Sequence, residues 1–252
     1  MAPTEGNAQV MDAVSLAEQN FTQHLRQNTY PGRGLVIGRS SVDNGWMMLY
    51  WIMGRSAQSR NRHFVAAGGT LRTAPVDPQL VIDPSLIIYE AMLELPGIYL
   101  VSNGAQTRTL YETLGAGGTF AQALAPWHYE PDPPNYTPRI SAMLVLAEAQ
   151  VTLSILKANP LDQTRTDRFL YQPAVPTPGL GVGLTTYRGD GNPVPSFAGE
   201  PLIVPCAGSP EALLDLYWDA LDASNRVALA VKHIPAHGGE GHLLVRNRYP
   251  AQ

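Results

Sequence analysis

Five arginines fall within thirty residues near the start of the chain: Arg33, Arg39, Arg55, Arg60 and Arg62. They sit among glycines, in Tyr30-Pro31-Gly32-Arg33-Gly34 and in Gly54-Arg55-Ser56, followed by Arg60-Asn61-Arg62. Lysine is nearly absent, with only Lys157 and Lys232. A guanidinium presents a planar fork of donors that matches phosphate oxygens, where lysine offers a point charge. Gly54 frees the backbone beside Arg55 for close approach to a ligand. Ser56 and Asn61 add neutral donors. Arg33, Arg55, Arg60 and Arg62 are therefore candidates for a phosphate clamp. The competing reading is a solvated loop whose arginines pair with carboxylates.

A second group suits proton transfer. Glu130 and Asp132 lie in a segment that also holds Pro131, Pro133, Pro134 and Pro138. Each proline locks φ and lacks an N–H, so the segment reads as a stiff, extended loop. Carboxylates two apart in extended chain point to one side, so both can face one cleft. Neighbouring carboxylates drive their pKa values apart, which makes an acid and a base from similar groups. The simpler reading pairs Glu130 with Arg139. Asn103-Gly104 offers an amide and backbone N–H groups that can read a base or hold an oxyanion. It can equally be a plain strand-to-helix turn. Tyr89 ends an apolar stretch, with its hydroxyl at the strand end; most buried tyrosines are structural.

Composition narrows the partners. The net charge is -4 and the pI about 5.8, so the arginines suit a small anion rather than a nucleic acid. No apolar run reaches the length of a membrane span; Leu86 to Leu100 is broken by Glu90, Glu94 and Pro96. The N-terminus lacks the basic and apolar regions of a signal peptide. One cysteine, Cys206, excludes an internal disulfide and a multi-cysteine metal site. The cytoplasm is the expected location. His233, His237 and His242 are too loosely spaced for a metal centre, and Gly179, Gly181 and Gly183 alternate as a strand does. Neither a metal nor another cofactor is expected.

The elements that must position these residues follow from periodicity. Val10, Val14, Ala17, Phe21 and Leu25 recur at helical spacing and predict an amphipathic helix over about residues 9–27. Its apolar stripe must be buried on its own domain or on a neighbouring subunit. Residues 35–38 and 46–53 read as strands joined by the turn Asp43-Asn44-Gly45. Further strands are expected at 63–67, 71–75, 80–89 and 98–102, and helices at 107–114 and 120–125. Residues 140–156 read as a buried strand pair and 158–179 as a surface excursion. A strand at 180–187 and a loop at 192–205 come next. Ser209-Pro210-Glu211 opens a helix that runs to about residue 223. Strands at 226–234 and 243–248 complete the chain. This mixture is an α+β layered fold.

The same segments resemble the archaeal-type inosine monophosphate (IMP) cyclohydrolase family. The resemblance rests on Tyr30-Pro31-Gly32-Arg33, Gly54-Arg55-Ser56 with Arg60-Asn61-Arg62, Ile87-Ile88-Tyr89-Glu90, Val101-Ser102-Asn103-Gly104-Ala105-Gln106-Thr107 and Tyr129-Glu130-Pro131-Asp132 through Arg139-Ile140. A fainter echo is Thr185-Thr186-Tyr187. The resemblance implies a four-layer αββα sandwich of the N-terminal-nucleophile hydrolase type, without the processed nucleophile. It implies a leader helix over 1–29 and one domain over 30–252. The implied reaction closes the purine ring of a formamidoimidazole-carboxamide ribotide to give IMP and water. The implied partners are that ribotide and further copies of the chain. Tyr89 takes a catalytic role beside Glu130 and Asp132. Arg33, Arg55, Ser56, Arg60, Asn61, Arg62, Asn103, Gly104 and Arg139 become the substrate-binding set. Glu90 departs from the family pattern, which has Asn there.

Two other readings compete. Such folds host amidohydrolases with a freed N-terminal Thr, Ser or Cys, and Thr29 precedes the first motif. Within an unbroken chain Thr29 has no free amine to act as base. The alternative is a nucleotide-binding protein that kept the pocket and lost turnover.

Overall fold

The structure, a computed structural model, describes residues 12–249. Asp12 caps the first helix by accepting from the amides of Val14 at 3.0 Å and Ser15 at 2.9 Å. This helix, α1 (Ala13–Phe21), continues as a π-helical turn over Thr22–Arg26. Strands β1 (Gly34–Arg39) and β2 (Trp46–Met53) follow, joined through Asn44 at φ 60°. Then come the single turn α2 (Ala57–Arg60) and strands β3 (His63–Ala67), β4 (Thr70–Ala74), β5 (Glu90–Leu95) and β6 (Ile98–Ser102). Helices α3 (Gln106–Gly115) and α4 (Phe120–Leu124) precede β7 (Arg139–Val145), β8 (Gln150–Ala158) and β9 (Thr166–Tyr171). The last elements are β10 (Leu180–Thr185), β11 (Leu202–Pro205), α5 (Pro210–Ala220), β12 (Arg226–Ile234) and β13 (His242–Asn247).

The strands form two antiparallel sheets, giving an α+β fold. One has the order β11-β10-β1-β2-β12-β13, the other β3-β4-β5-β6-β7-β8-β9. Side chains from both sheets join one apolar core, so the sheets pack face to face. The sequence of β2, WMMLYWIM, is buried at every position because both its faces are covered. Tyr50 looks toward the seven-stranded sheet, where its ring lies 5.5 Å from that of Phe64. Trp51 looks the other way, toward Tyr217 of α5 at 6.0 Å. Its indole also explains Gly34: a Cβ there would come within 1.9 Å of the ring. A smaller cluster of Leu100, Leu110, Phe120, Ala123, Leu124 and Met143 seats α3 and α4 on the seven-stranded sheet.

The N-terminal helix docks on its own domain. Ala17, Phe21 and Leu25 are buried; Phe21 meets Tyr217 edge-on at 4.9 Å, and Asn20 donates to the Ile203 carbonyl at 2.9 Å. Val14 departs from the expected stripe and is exposed, because burial begins one turn later. Val10 lies outside the described residues.

Three expectations are corrected. No strand fills 80–89. Pro78 and Pro84 instead start two 3-10 turns, Pro78–Leu80 and Pro84–Leu86, capped by Asp77 and Asp83, and the strand begins at Glu90. The 158–179 excursion contains β9, an edge strand paired only with β8. The 192–205 loop ends in β11, which pairs with β10.

Candidate active site

The site begins with a tight crossing of two backbones. Pro31 and Arg33 carbonyls accept from the amides of Tyr187 (3.1 Å) and Thr186 (2.8 Å). Gly32 makes the crossing feasible: its φ is 75°, and a Cβ would lie 2.2 Å from Thr186 Oγ1. The crossing delivers the Arg33 side chain, just ahead of β1, into the interior.

There Arg33 forms a two-point ion pair with Glu130. Nη1 donates to Oε1 at 2.8 Å and Nη2 to Oε2 at 2.7 Å. Nη1 also donates to the Asn103 carbonyl at 3.0 Å. Both partners are buried. Desolvation opposes the Arg33 charge, but Glu130, with the Tyr89 and Tyr50 phenols, more than offsets it, and the guanidinium pKa is held well above its ordinary value. Arg139 stands 3.6 Å from the same carboxylate, stacks on Trp127 at 4.9 Å and donates to Gln106 Oε1 at 3.1 Å. Glu130 is thus paired chiefly with Arg33 rather than with Arg139 alone. Its carboxylate is tied on both oxygens, which leaves little freedom for proton transfer.

Beside this pair opens a cleft of about 350 Å³. Arg33, Arg55, Ser56, Arg62, Glu130 and Asp132 all line it, together with Tyr30, Asn135, Thr137 and Tyr187. Asp132 accepts from the Thr137 amide at 2.7 Å and from the Thr137 hydroxyl, which also bonds the Tyr187 hydroxyl. Burial pushes the Asp132 carboxyl pKa up, against the pull of Thr137. Burial also raises the Tyr187 phenol, so it stays protonated and able to donate. Arg62 is buried and donates to the Ser59 carbonyl at 2.9 Å and the Met53 carbonyl at 3.2 Å. Ser56 caps α2, accepting from the Ser59 amide at 3.1 Å. Arg55 lies at the rim.

The other expected residues stand behind the cleft or away from it. Asn103 donates to the Pro138 carbonyl at 2.8 Å and accepts from the Ile140 amide at 2.9 Å. It fixes the chain that carries Arg139. Gly104 leaves room for Arg139, whose Nη1 a Cβ would meet at 2.3 Å. Arg60 ties its loop to the Gly54 carbonyl (2.9 Å) and Asn225 (3.3 Å) rather than facing the cleft. Asn61 clasps the Asp77 backbone through both amide atoms, at 2.8 and 2.7 Å.

Tyr89 is also corrected. It precedes β5 rather than ending a strand, and its hydroxyl meets that of Tyr50 at 2.7 Å in the core. Its outer side borders a shallow depression with Arg72 and Arg108 instead of the cleft. Tyr89→Phe strands the fully buried Tyr50 hydroxyl. It is expected to cost about 1–3 kcal/mol of stability, read by urea denaturation. Ring chemistry at the cleft is expected to be little changed.

Tyr30, Asn135, Thr137 and Tyr187 were not singled out by residue type. All four fall within the segments that carry the resemblance, and the Tyr30 and Tyr187 rings stack at 5.7 Å. Among the described residues no group of three or more His, Cys, Asp or Glu side chains is placed to hold a metal ion. No helix there is long and apolar enough to cross a membrane.

Residues 30–238 fit a protein-family model described as IMP cyclohydrolase-like protein. No curated protein matches the chain.

Proposed function

We propose that this chain, which belongs to the IMP cyclohydrolase-like family, closes the purine ring of 5-formamidoimidazole-4-carboxamide ribotide to give IMP and water. The observation that carries the reading is the cleft itself. It is lined both by arginines and by an acid of raised pKa with hydroxyl partners. The two helix-covered sheets accord with the αββα arrangement of N-terminal-nucleophile hydrolases, here with the buried Arg33–Glu130 pair ahead of β1.

Ring closure needs two proton movements. The carboxamide nitrogen adds to the formyl carbon and gives up a proton, while the formyl oxygen takes one. Water then leaves the carbinolamine as its hydroxyl is protonated and the former formamido nitrogen loses its proton. Asp132 is the base of this scheme. Tyr187 donates to the oxygen that gains charge, and the Thr137 hydroxyl connects the two. Arg33 supplies fixed positive charge beside them, held by Glu130. Glu130 thereby becomes an anchor instead of one half of an acid–base pair. Arg55 and Arg62 serve the ribotide phosphate.

The test is to mix the purified protein with the formamido ribotide and follow IMP by ultraviolet absorbance. Binding of IMP without its formation would favour the nucleotide-binding alternative. A companion measurement checks the phosphate role. Arg55→Ala is expected to weaken IMP binding by about 1.5–3 kcal/mol in calorimetric titration, because a charge-assisted contact is lost. Inosine, which lacks the phosphate, is expected to bind both proteins alike. An equal loss for inosine would make Arg55 structural.

A further inference from the structure

Arg55 differs from the other arginines of the cleft wall. Arg33 and Arg62 are buried and hydrogen-bonded to the protein, whereas the Arg55 side chain is 36% exposed. Its Nη1 pairs with Asp190 and donates to the Gly191 carbonyl at 2.9 Å. Its guanidinium lies over the Tyr30 ring at 4.8 Å, and the Tyr30 and Tyr187 rings are themselves stacked. Arg55 therefore spends its charge on a carboxylate and covers an aromatic surface of the cleft.

The carboxylate is placed there by a tethered loop. Residues 188–196 leave and rejoin the fold through fixed points. The Arg188 amide donates to the Pro195 carbonyl and the Phe197 amide to the Thr186 carbonyl, each at 3.0 Å. Asn28 holds the Arg188 carbonyl at 3.1 Å, and Asn135 of the cleft accepts from the Val194 amide at 3.1 Å. Asp190 itself is 46% exposed. Among the described residues the Asp190 carboxylate is bonded by Arg55 and by the Gly191 amide, from which it accepts at 2.9 Å.

We propose that Asp190 is an internal competitor for the ligand's phosphate: it parks Arg55 over Tyr30 in the empty cleft and yields it to a phosphate dianion. This rests on the reading that Arg55 meets the phosphate. An exposed ion pair is weak, so a dianion in the cleft can displace it. A singly charged anion gains less from the exchange. Asp190 thus tunes the site toward phosphate monoesters and keeps their binding reversible.

Calorimetric titration with inorganic phosphate, IMP and inosine tests this without turnover. Asp190→Asn is expected to tighten phosphate and IMP about three- to tenfold, from loss of the competing pair. Inosine affinity is expected to stay unchanged. In an Arg55→Ala background the same substitution is expected to give no gain. Weaker phosphate binding by Asp190→Asn would mean that Asp190 orients Arg55, and would overturn the proposal. So would an equal gain in the Arg55→Ala background, or phosphate binding by neither protein. These shifts in a protein that forms no IMP would sink the ring-closure reading and leave the competition standing.

Discussion

Glu130→Ala is expected to lower the unfolding free energy by about 3–5 kcal/mol, read as a shift of the urea midpoint. The reason is the charge left behind. Arg33 is only 7% exposed, and without Glu130 it keeps one hydrogen-bond acceptor, the Asn103 carbonyl. Arg139, 3.6 Å from the same carboxylate, loses a counter-charge as well. Breaking a buried pair costs far more than the pair contributes net, since desolvation offsets most of the attraction. Replacing both members, Arg33→Met with Glu130→Leu, is therefore expected to recover much of the loss. That double variant separates the two roles of the pair. It is expected to fold yet not to turn over, because the fixed charge beside Asp132 is gone. A Glu130→Ala protein as stable as the wild type would show that the pair is not what fixes Arg33.

What the sequence reveals and what it hides divide along the range of the interactions. Ser209-Pro210-Glu211 starts α5, and Asp43-Asn44-Gly45 turns β1 into β2, because caps and tight turns are set within four residues. The fully apolar β2 reads directly as a central strand. Strand β9 does not, since no residue of TDRFLY is fully buried and only pairing with β8 makes it a strand. The same distance problem governs the site. Arg33 and Glu130 are 97 residues apart, and no local pattern says that they pair. Arg55 and Arg60 look alike in sequence, yet Asp190 holds one at the rim while Asn225 and Gly54 hold the other behind it. Asn61 and Asn103 are both spent on backbone groups, a use that their residue type leaves open. Tyr89 reads as a catalytic tyrosine at a strand end; its pairing with Tyr50, 39 residues earlier, is another contact that no local pattern shows.

Asp132→Asn is expected to lower kcat for ring closure by roughly 10²–10³-fold, with KM and the melting temperature near those of the wild type. Asparagine keeps the size of the side chain, and its carbonyl can still accept from the Thr137 amide. It cannot take a proton from the attacking amide. The pH dependence distinguishes this from a structural effect. Burial raises the Asp132 pKa, so a base at this position becomes active at higher pH than an unperturbed aspartate would. The wild-type kcat is then expected to climb with pH as Asp132 loses its proton, and this limb is expected to vanish in Asp132→Asn. Three neighbouring residues set its position. Glu130 acts with burial to raise the pKa, Arg33 and the Thr137 hydroxyl lower it, and Tyr187 reaches Asp132 through Thr137. Thr137→Val removes the hydroxyl that favours the ionised form. Its limb is expected to move to higher pH, while Tyr187→Phe is expected to lower the plateau. A limb that ignores Thr137→Val, or that persists in Asp132→Asn, would take the base away from this loop.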